Sequence, residues 1–263
     1  MKERSSLPKL AGRTYVGLVL FFLYAPIMVM ALMSFNASEF YAFPLNFTLD
    51  WYRKLIGNAA ILSSAWRSLW IALATTAIAT VLGTAAALAL YRYDFRGKRI
   101  LQALLFPPIA IPWLIIGTAM LIFFFWVGIG RGTPAVIIGH VALALPYVVV
   151  VVTARLQTFD PQLEEAARSL GASQWVVTRD VTLPWIASGV VAGALFAFAV
   201  SFDQFVVSYF LAEPGDATLP VVIYTSIRKG FTPEINAIST IIIVVSMAVM
   251  LLASRYFKFG GER

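Results

Sequence analysis

The sequence predicts an all-α membrane protein with six transmembrane helices, both termini cytoplasmic, and a cytoplasmic helical loop between the fourth and fifth helices. Three observations predict it. Of 263 residues, 60% are hydrophobic and 13% charged, and the mean hydropathy is +0.83. A soluble domain of this size has no interior large enough for that much apolar surface, so most of it meets lipid. The apolar residues fall into six runs long enough to cross a bilayer at about 1.5 Å per residue. The basic residues gather on alternate connections, which orients the chain.

Composition also excludes chemistry. With no cysteine, disulfides, thiolate metal sites and cysteine catalysis are impossible. His140 is the only histidine, and no cluster of His, Asp or Glu falls on facing spans, so neither a catalytic residue nor a metal site is predicted. A net charge of +7 would suggest nucleic acid for a soluble protein. In a membrane protein the position of each charge matters more than the sum, and no nucleic-acid partner is expected.

In order, Met1–Arg13 is a basic leader. The first span, about 15–35, has an apolar run too long for a signal peptide's core and no small-x-small cleavage site, which makes it an uncleaved anchor. A polar-aromatic loop, 36–63, leads to the second span, about 64–90, and a short basic turn, 91–99. The third span covers about 101–127 and the fourth about 134–153, with a glycine-rich turn between them. The fifth covers about 185–207 and the sixth about 237–253.

One set of connections holds Lys2, Arg4, Lys9, Arg13, Arg92, Arg96, Lys98, Arg99, Arg155, Arg168, Arg179, Arg255, Lys258 and Arg263, fourteen cations. The other holds five: Arg53, Lys54, Arg131, Arg228 and Lys229. The first set, with both termini and the loop at about 154–184, therefore faces the cytoplasm. Arg67 is left at the outer start of the second span, where its stem can snorkel to the interface.

That loop is the longest soluble-looking helical segment. Asp160 is a natural N-cap and Pro161 suits the first helical position. Residues 161–170 read as a short helix that Gly171 ends in a left-handed conformation. Ser173 caps a second short helix to about Asp180, and Pro184 stops the backbone at the membrane. Leu163, Ala167 and Leu170 share one face at i, i+4 and i+7, with small Ala166 beside them, while Glu164 and Glu165 offer charge to a basic partner.

Inside the spans, Pro26, Pro107, Pro108, Pro112 and Pro146 bend or break their helices, as packing kinks or as a hinge beside a pathway. Asp203, in Ser201-Phe202-Asp203-Gln204, has two readings. Either Ser201, Asp203 and Gln204 form a polar lining for a substrate route, or the helix ends there and Asp203 is solvated. His140 is a weaker member of that candidate route, since a lone histidine on a helix is usually a hydrogen-bonded packing residue. Phe123–Trp126 reads as an interfacial belt. Asn36-Ala37-Ser38 and Asn46-Phe47-Thr48 fit the glycosylation pattern, which carries no weight in a bacterial chain.

Glu165-Ala166-Ala167, three residues, Gly171, nine residues, Val181-Thr182-Leu183-Pro184 resembles the E-A-A-x3-G-x9-I-x-L-P signature of permease subunits of bacterial binding-protein-dependent ABC importers. Only Val181 departs, by one methylene from the usual Ile. The resemblance covers nearly the whole chain. Ser34-Phe35-Asn36, Phe47-Thr48-Leu49-Asp50-Trp51-Tyr52, the run Ala89 to Lys98, and Pro233-Glu234-Ile235-Asn236-Ala237 are similar to the spermidine/putrescine branch, specifically its C-type permease subunit. That branch carries paired acids at the end of the fifth span, whereas here Asp203 is followed by neutral Gln204, which thins the negative charge along the route. Related permeases of the branch extend the cargo to aminoalkylphosphonates, 4-aminobutyrate, opines or ferric ion.

The resemblance implies a single type-1 transmembrane domain, 1–263, in the bacterial inner membrane. It implies a heterodimer with a second permease, two ATPase subunits, and a periplasmic or lipid-anchored solute-binding protein. The 161–180 helices would be a coupling element seated in an ATPase groove. Glu165 would pair with a basic residue there, Leu163, Ala167 and Leu170 would fill it, and Gly171 would set the elbow before Leu183-Pro184. No G-x-x-x-x-G-K-[ST] occurs, so this chain needs no cofactor of its own, and magnesium-bound ATP is expected on the partners. The alternative is an ion-coupled secondary transporter or channel working without an ATPase. Such proteins bury several ionisable groups near the midplane, where here Asp203 and His140 are nearly alone.

Overall fold

The first apolar run forms a 28-residue helix, α1 (Ser6–Met33), with Pro26 inside it. Its side chains from Tyr15 to Leu32 are largely exposed around the whole helix, a surface that apolar surroundings such as acyl chains would solvate. The computed structural model describes residues 6–38, 44–229 and 233–256. Lys2, Arg4, Lys258 and Arg263 of the charge argument lie outside them. After α1 come α2 (Asp50–Gly57), α3 (Ala59–Arg92), α4 (Lys98–Leu104), α5 (Pro107–Ala110), α6 (Trp113–Trp126) and α7 (Thr133–Leu156). The order continues with α8 (Gln162–Ser169), α9 (Gln174–Val177), a π turn (Thr178–Thr182), α10 (Leu183–Phe202), α11 (Val206–Leu211), α12 (Leu219–Lys229) and α13 (Glu234–Tyr256). Among the described residues there is no strand, only one antiparallel bridge, Asn36 to Phe47.

Among the described residues, four helical stretches are long and apolar enough to cross a membrane: Ala11–Met33, Ala59–Arg92, Thr133–Leu156 and Gln174–Phe202. The predicted third span is a fifth only if a bent pair counts as one, because Lys98–Ala110 and Trp113–Trp126 meet at 113°. Its prolines explain the bend. Pro107, Pro108 and Pro112 supply no N–H, and Pro112 holds Ile111 extended at φ −83°, ψ 137°. In α13 the apolar stretch with described side chains is shorter, Glu234–Ala248.

The fifth helix corrects the expectation that Pro184 stops the backbone. The helix runs on from Gln174 to Phe202, and Pro184 lies in the first turn of α10. A π turn widens the helix just before the proline ring, with the Leu183 N–H bonding to the Thr178 carbonyl, which gives room where an α-turn would clash. The C-terminal end is corrected too: the helix stops at Phe202 rather than near Val207.

Two compact units are distinguished, one comprising the described residues up to Leu62 and from Thr225 onward, the other Ser63–Tyr224. In the first, the Ser34-Phe35-Asn36 and Phe47–Tyr52 motifs come together. The Trp51 indole N–H donates to the Asn36 carbonyl at 2.7 Å, Ser34 Oγ and Tyr52 OH are 2.7 Å apart, and Phe35 stacks on Phe47 at 5.7 Å. Asn36 is buried and its Oδ1 accepts from the Asn46 N–H at 3.2 Å, so the glycosylation-like pattern is a structural knot.

In the second unit, α7 packs along α10 around Leu90, Val148, Val152, Leu156 and Ile186. Lipid supplies no hydrophobic drive between helices, so close backbone approach has to hold them. Gly83 of α3 meets that need: a Cβ there would lie 2.7 Å from the Val148 side chain. Arg67 does not merely snorkel. Its guanidinium pairs with Asp216 at 2.7 Å and donates to the Ala217 carbonyl at 3.2 Å, tying α3 to the loop before α12.

Candidate functional site

α8 is built as its residues dictate. Asp160 Oδ1 accepts the Gln162 N–H at 3.0 Å, meeting an orphan donor of the first turn. At the other end Gly171 has φ +88°. Its N–H bonds to the Arg168 carbonyl at 2.9 Å, and the Ala172 N–H bonds to the Ala167 carbonyl at 3.1 Å. These two bonds are a Schellman closure, and they need the left-handed residue. Ser173 Oγ then accepts the Val176 N–H at 3.4 Å and caps α9.

The outward face of this element carries Leu163 (42% exposed) and Leu170 (90%). Glu165 and Ala166 are also exposed, Ala167 is half-buried, Leu183 is half-buried against the α7–α10 core, and Pro184 is exposed. On α9, Trp175 is 67% exposed. Sequence reading missed it, although a tryptophan in an otherwise polar loop was the available signal.

Glu164 is the correction. Expected to face a partner with Glu165, it is instead turned inward and only 8% exposed. Neighbouring helix positions differ by about 100°, so one acid of the pair faces in when the other faces out. Its carboxylate is ion-paired with Arg92 of α3. It accepts from Thr182 Oγ1 at 2.6 Å and from Arg168 Nη2 at 3.3 Å. Arg92 also donates to Thr178 and Thr182, each at 2.7 Å. Burial alone would raise the Glu164 pKa. Hydrogen bonds from Thr182 and Arg92 and the charges of Arg92 and Arg168 outweigh it, leaving the pKa below the ordinary carboxylate value. Removing one partner of a buried pair costs roughly 3–5 kcal/mol. In the sequence Arg92 is a cytoplasmic cation within the run Ala89 to Lys98 and Thr182 an unspecified position of the signature; neither pattern shows that they meet Glu164.

The candidate route residues separate. His140 of α7 is buried, with Nδ1 2.9 Å from Ser201 Oγ and Nε2 2.9 Å from Ser208 Oγ. His140 and Ser201 therefore fasten α7 to the end of α10 and to α11, in the interior of the unit. Gln204 is also buried, and its Oε1 accepts the Val206 N–H at 3.1 Å at the start of α11. Only Asp203 is exposed, at the C-cap of α10. Beside it, Phe205, Tyr209 and Tyr224 form an aromatic cluster, with Phe205 and Tyr224 4.5 Å apart.

Residues 79–259 match the family described as binding-protein-dependent transport system inner membrane component. The chain is 38% identical over 234 residues to the spermidine/putrescine transport system permease protein PotC of Escherichia coli (strain K12), covering 89% of this chain and 88% of that one. It is 36% identical over 229 residues to the putrescine transport system permease protein PotI of the same strain, covering 84% and 82%. In fold it resembles a chain of a bacterial ABC transporter that imports the acidic polysaccharide alginate, with TM-score 0.76, 14% identity, and 98% and 99% coverage. A membrane-embedded helical chain with these matches belongs to the binding-protein-dependent transport system inner membrane components, the permeases of ABC transporters.

Proposed function

We propose that this chain is one permease subunit of an ATP-driven importer of polyamines in the bacterial inner membrane. Residues 1–263 act as one transmembrane domain of six spans, with the bent α4–α6 segment and α13 completing the set. Both termini and α8 face the cytoplasm, as the basic residues favour. The observation that carries the reading is α8 itself: an exposed apolar surface, Leu163 and Leu170, beside an outward Glu165, on a helix closed by Gly171, with Trp175 exposed on α9. An ATPase groove would cover that surface, and Glu165 would meet a basic residue in it. Two ATPase subunits hydrolyse the nucleotide, a second permease completes the pathway, and a periplasmic or lipid-anchored binding protein delivers the cargo. Similarity to permeases named for spermidine and putrescine supports the cargo class, and exposed Asp203 offers a carboxylate to a polycation.

The test uses the chain co-expressed with its ATPase, second permease and binding protein and reconstituted in vesicles. Spermidine uptake should require ATP. Leu163→Asp with Leu170→Asp should release the ATPase subunit in pull-down while the chain stays inserted. Retention of the ATPase by that variant would remove α8 from the interface, and uptake of 4-aminobutyrate in preference to spermidine would overturn the cargo.

A further inference from the structure

One carboxylate in an otherwise exposed loop is held almost out of solvent, and three elements share it. Glu164 Oε1 accepts from Arg92, at the end of α3, and from Thr182, at the end of the π turn that opens α10. Glu164 Oε2 accepts from Arg168 on α8 itself. The two terminal nitrogens of Arg92 reach Thr178 and Thr182, the first and last residues of the π turn. We propose that Arg92, Glu164 and Thr182 form the joint through which displacement of α8 is passed to α3 and α10. The proposal rests on the reading of α8 as the element seated on the ATPase, and it assigns positioning roles to residues that do not touch that partner.

The geometry argues for a joint over a simple fastening. A buried ion pair is a poor way to gain stability, because apolar side chains of similar volume would hold α8 with no desolvation penalty. What charge-assisted bonds add is direction: they act at short range along fixed donor–acceptor lines, so sliding α8 past the π turn breaks several at once. Both receiving helices are continuous levers. α3 has 34 residues, about 51 Å, and the helix from Gln174 to Phe202 has 29, about 44 Å. The close contact of Gly83 with Val148 carries the motion of α3 into α7. Thr178 also donates to the Gln174 carbonyl at 2.9 Å, which ties the joint to α9.

The experiment follows ATP-dependent hydrogen–deuterium exchange in the full assembly in vesicles, for the wild type, Arg92→Glu, Glu164→Arg, and the two combined. In the wild type, ATP should change exchange in 162–169, 83–92 and 178–190. Each single variant should still bind the ATPase and keep the response in 162–169, but lose it in 83–92 and 178–190. Spermidine uptake per ATP hydrolysed should fall about tenfold, a loss of about 1.4 kcal/mol of coupling. The double variant should recover both, because threonine hydroxyls serve as donors or acceptors. An apolar pair, Arg92→Met with Glu164→Leu, should assemble yet stay uncoupled. Normal distal exchange in either single variant, failure of the swap to recover, or normal coupling by the apolar pair overturns the joint. A wild type whose α8 does not respond to ATP overturns the coupling reading beneath it, while a responding α8 without spermidine uptake overturns the cargo alone.

Discussion

Glu164 and Glu165 are neighbours in one helical turn with opposite surroundings, and the difference has a pH signature. Because the folded pKa of Glu164 lies below its ordinary value of 4.5, ionisation favours the native arrangement. Its contribution is fully present above about 4.5 and is lost as the pH falls through the lower folded value. Exchange protection of α8 amides should therefore hold from neutrality down to about pH 4.5 and decline below it. Glu164→Gln should lose that acid-dependent step. A decline already complete at about pH 6 would reverse the sign of the shift. His140 is held on both sides: each ring nitrogen meets a serine hydroxyl at 2.9 Å, which fixes the ring between α7, α10 and α11.

At the scale of the element, Gly171 closes α8 for a conformational reason. At φ +88° an added Cβ meets nothing within 4 Å, so the penalty for a larger residue is backbone strain, about 1–2 kcal/mol. Asparagine, which visits this region readily, should be tolerated better than valine. In vesicles, Gly171→Asn should keep most uptake per ATP and Gly171→Val should lose most of it. Equal uptake by the two would mean that the elbow's conformation is irrelevant to coupling. The same scale explains the bent third span and the unbroken fifth. Three prolines with an extended Ile111 turn the chain by 113°, whereas Pro184 is accommodated in a first turn preceded by a π turn. Proline count separates these cases only in part; the hydrogen-bond register upstream decides the rest.

For the whole molecule, the absence of cysteine makes orientation directly testable. With membrane-impermeant maleimide, Ser173→Cys should label only from the cytoplasmic side, and Glu213→Cys, in the loop that follows α11, only from outside. Labelling of both from one side would break the six-span topology. The sequence by itself determined the class, the apolar runs, the signature of the α8 loop and its left-handed glycine. Each of these is a local property: burial in lipid follows composition, and a cap or a positive φ follows from a few adjacent residues. Only the tertiary structure decided which way Glu164 points, that Arg92 and Thr182 meet it, and that His140 and Ser201 lie inside while Asp203 does not. Those outcomes depend on contacts between residues 18 to 90 positions apart in the chain, and on the π turn that sets the rotation of α10 against α8. Periodicity within one helix holds no information about that rotation.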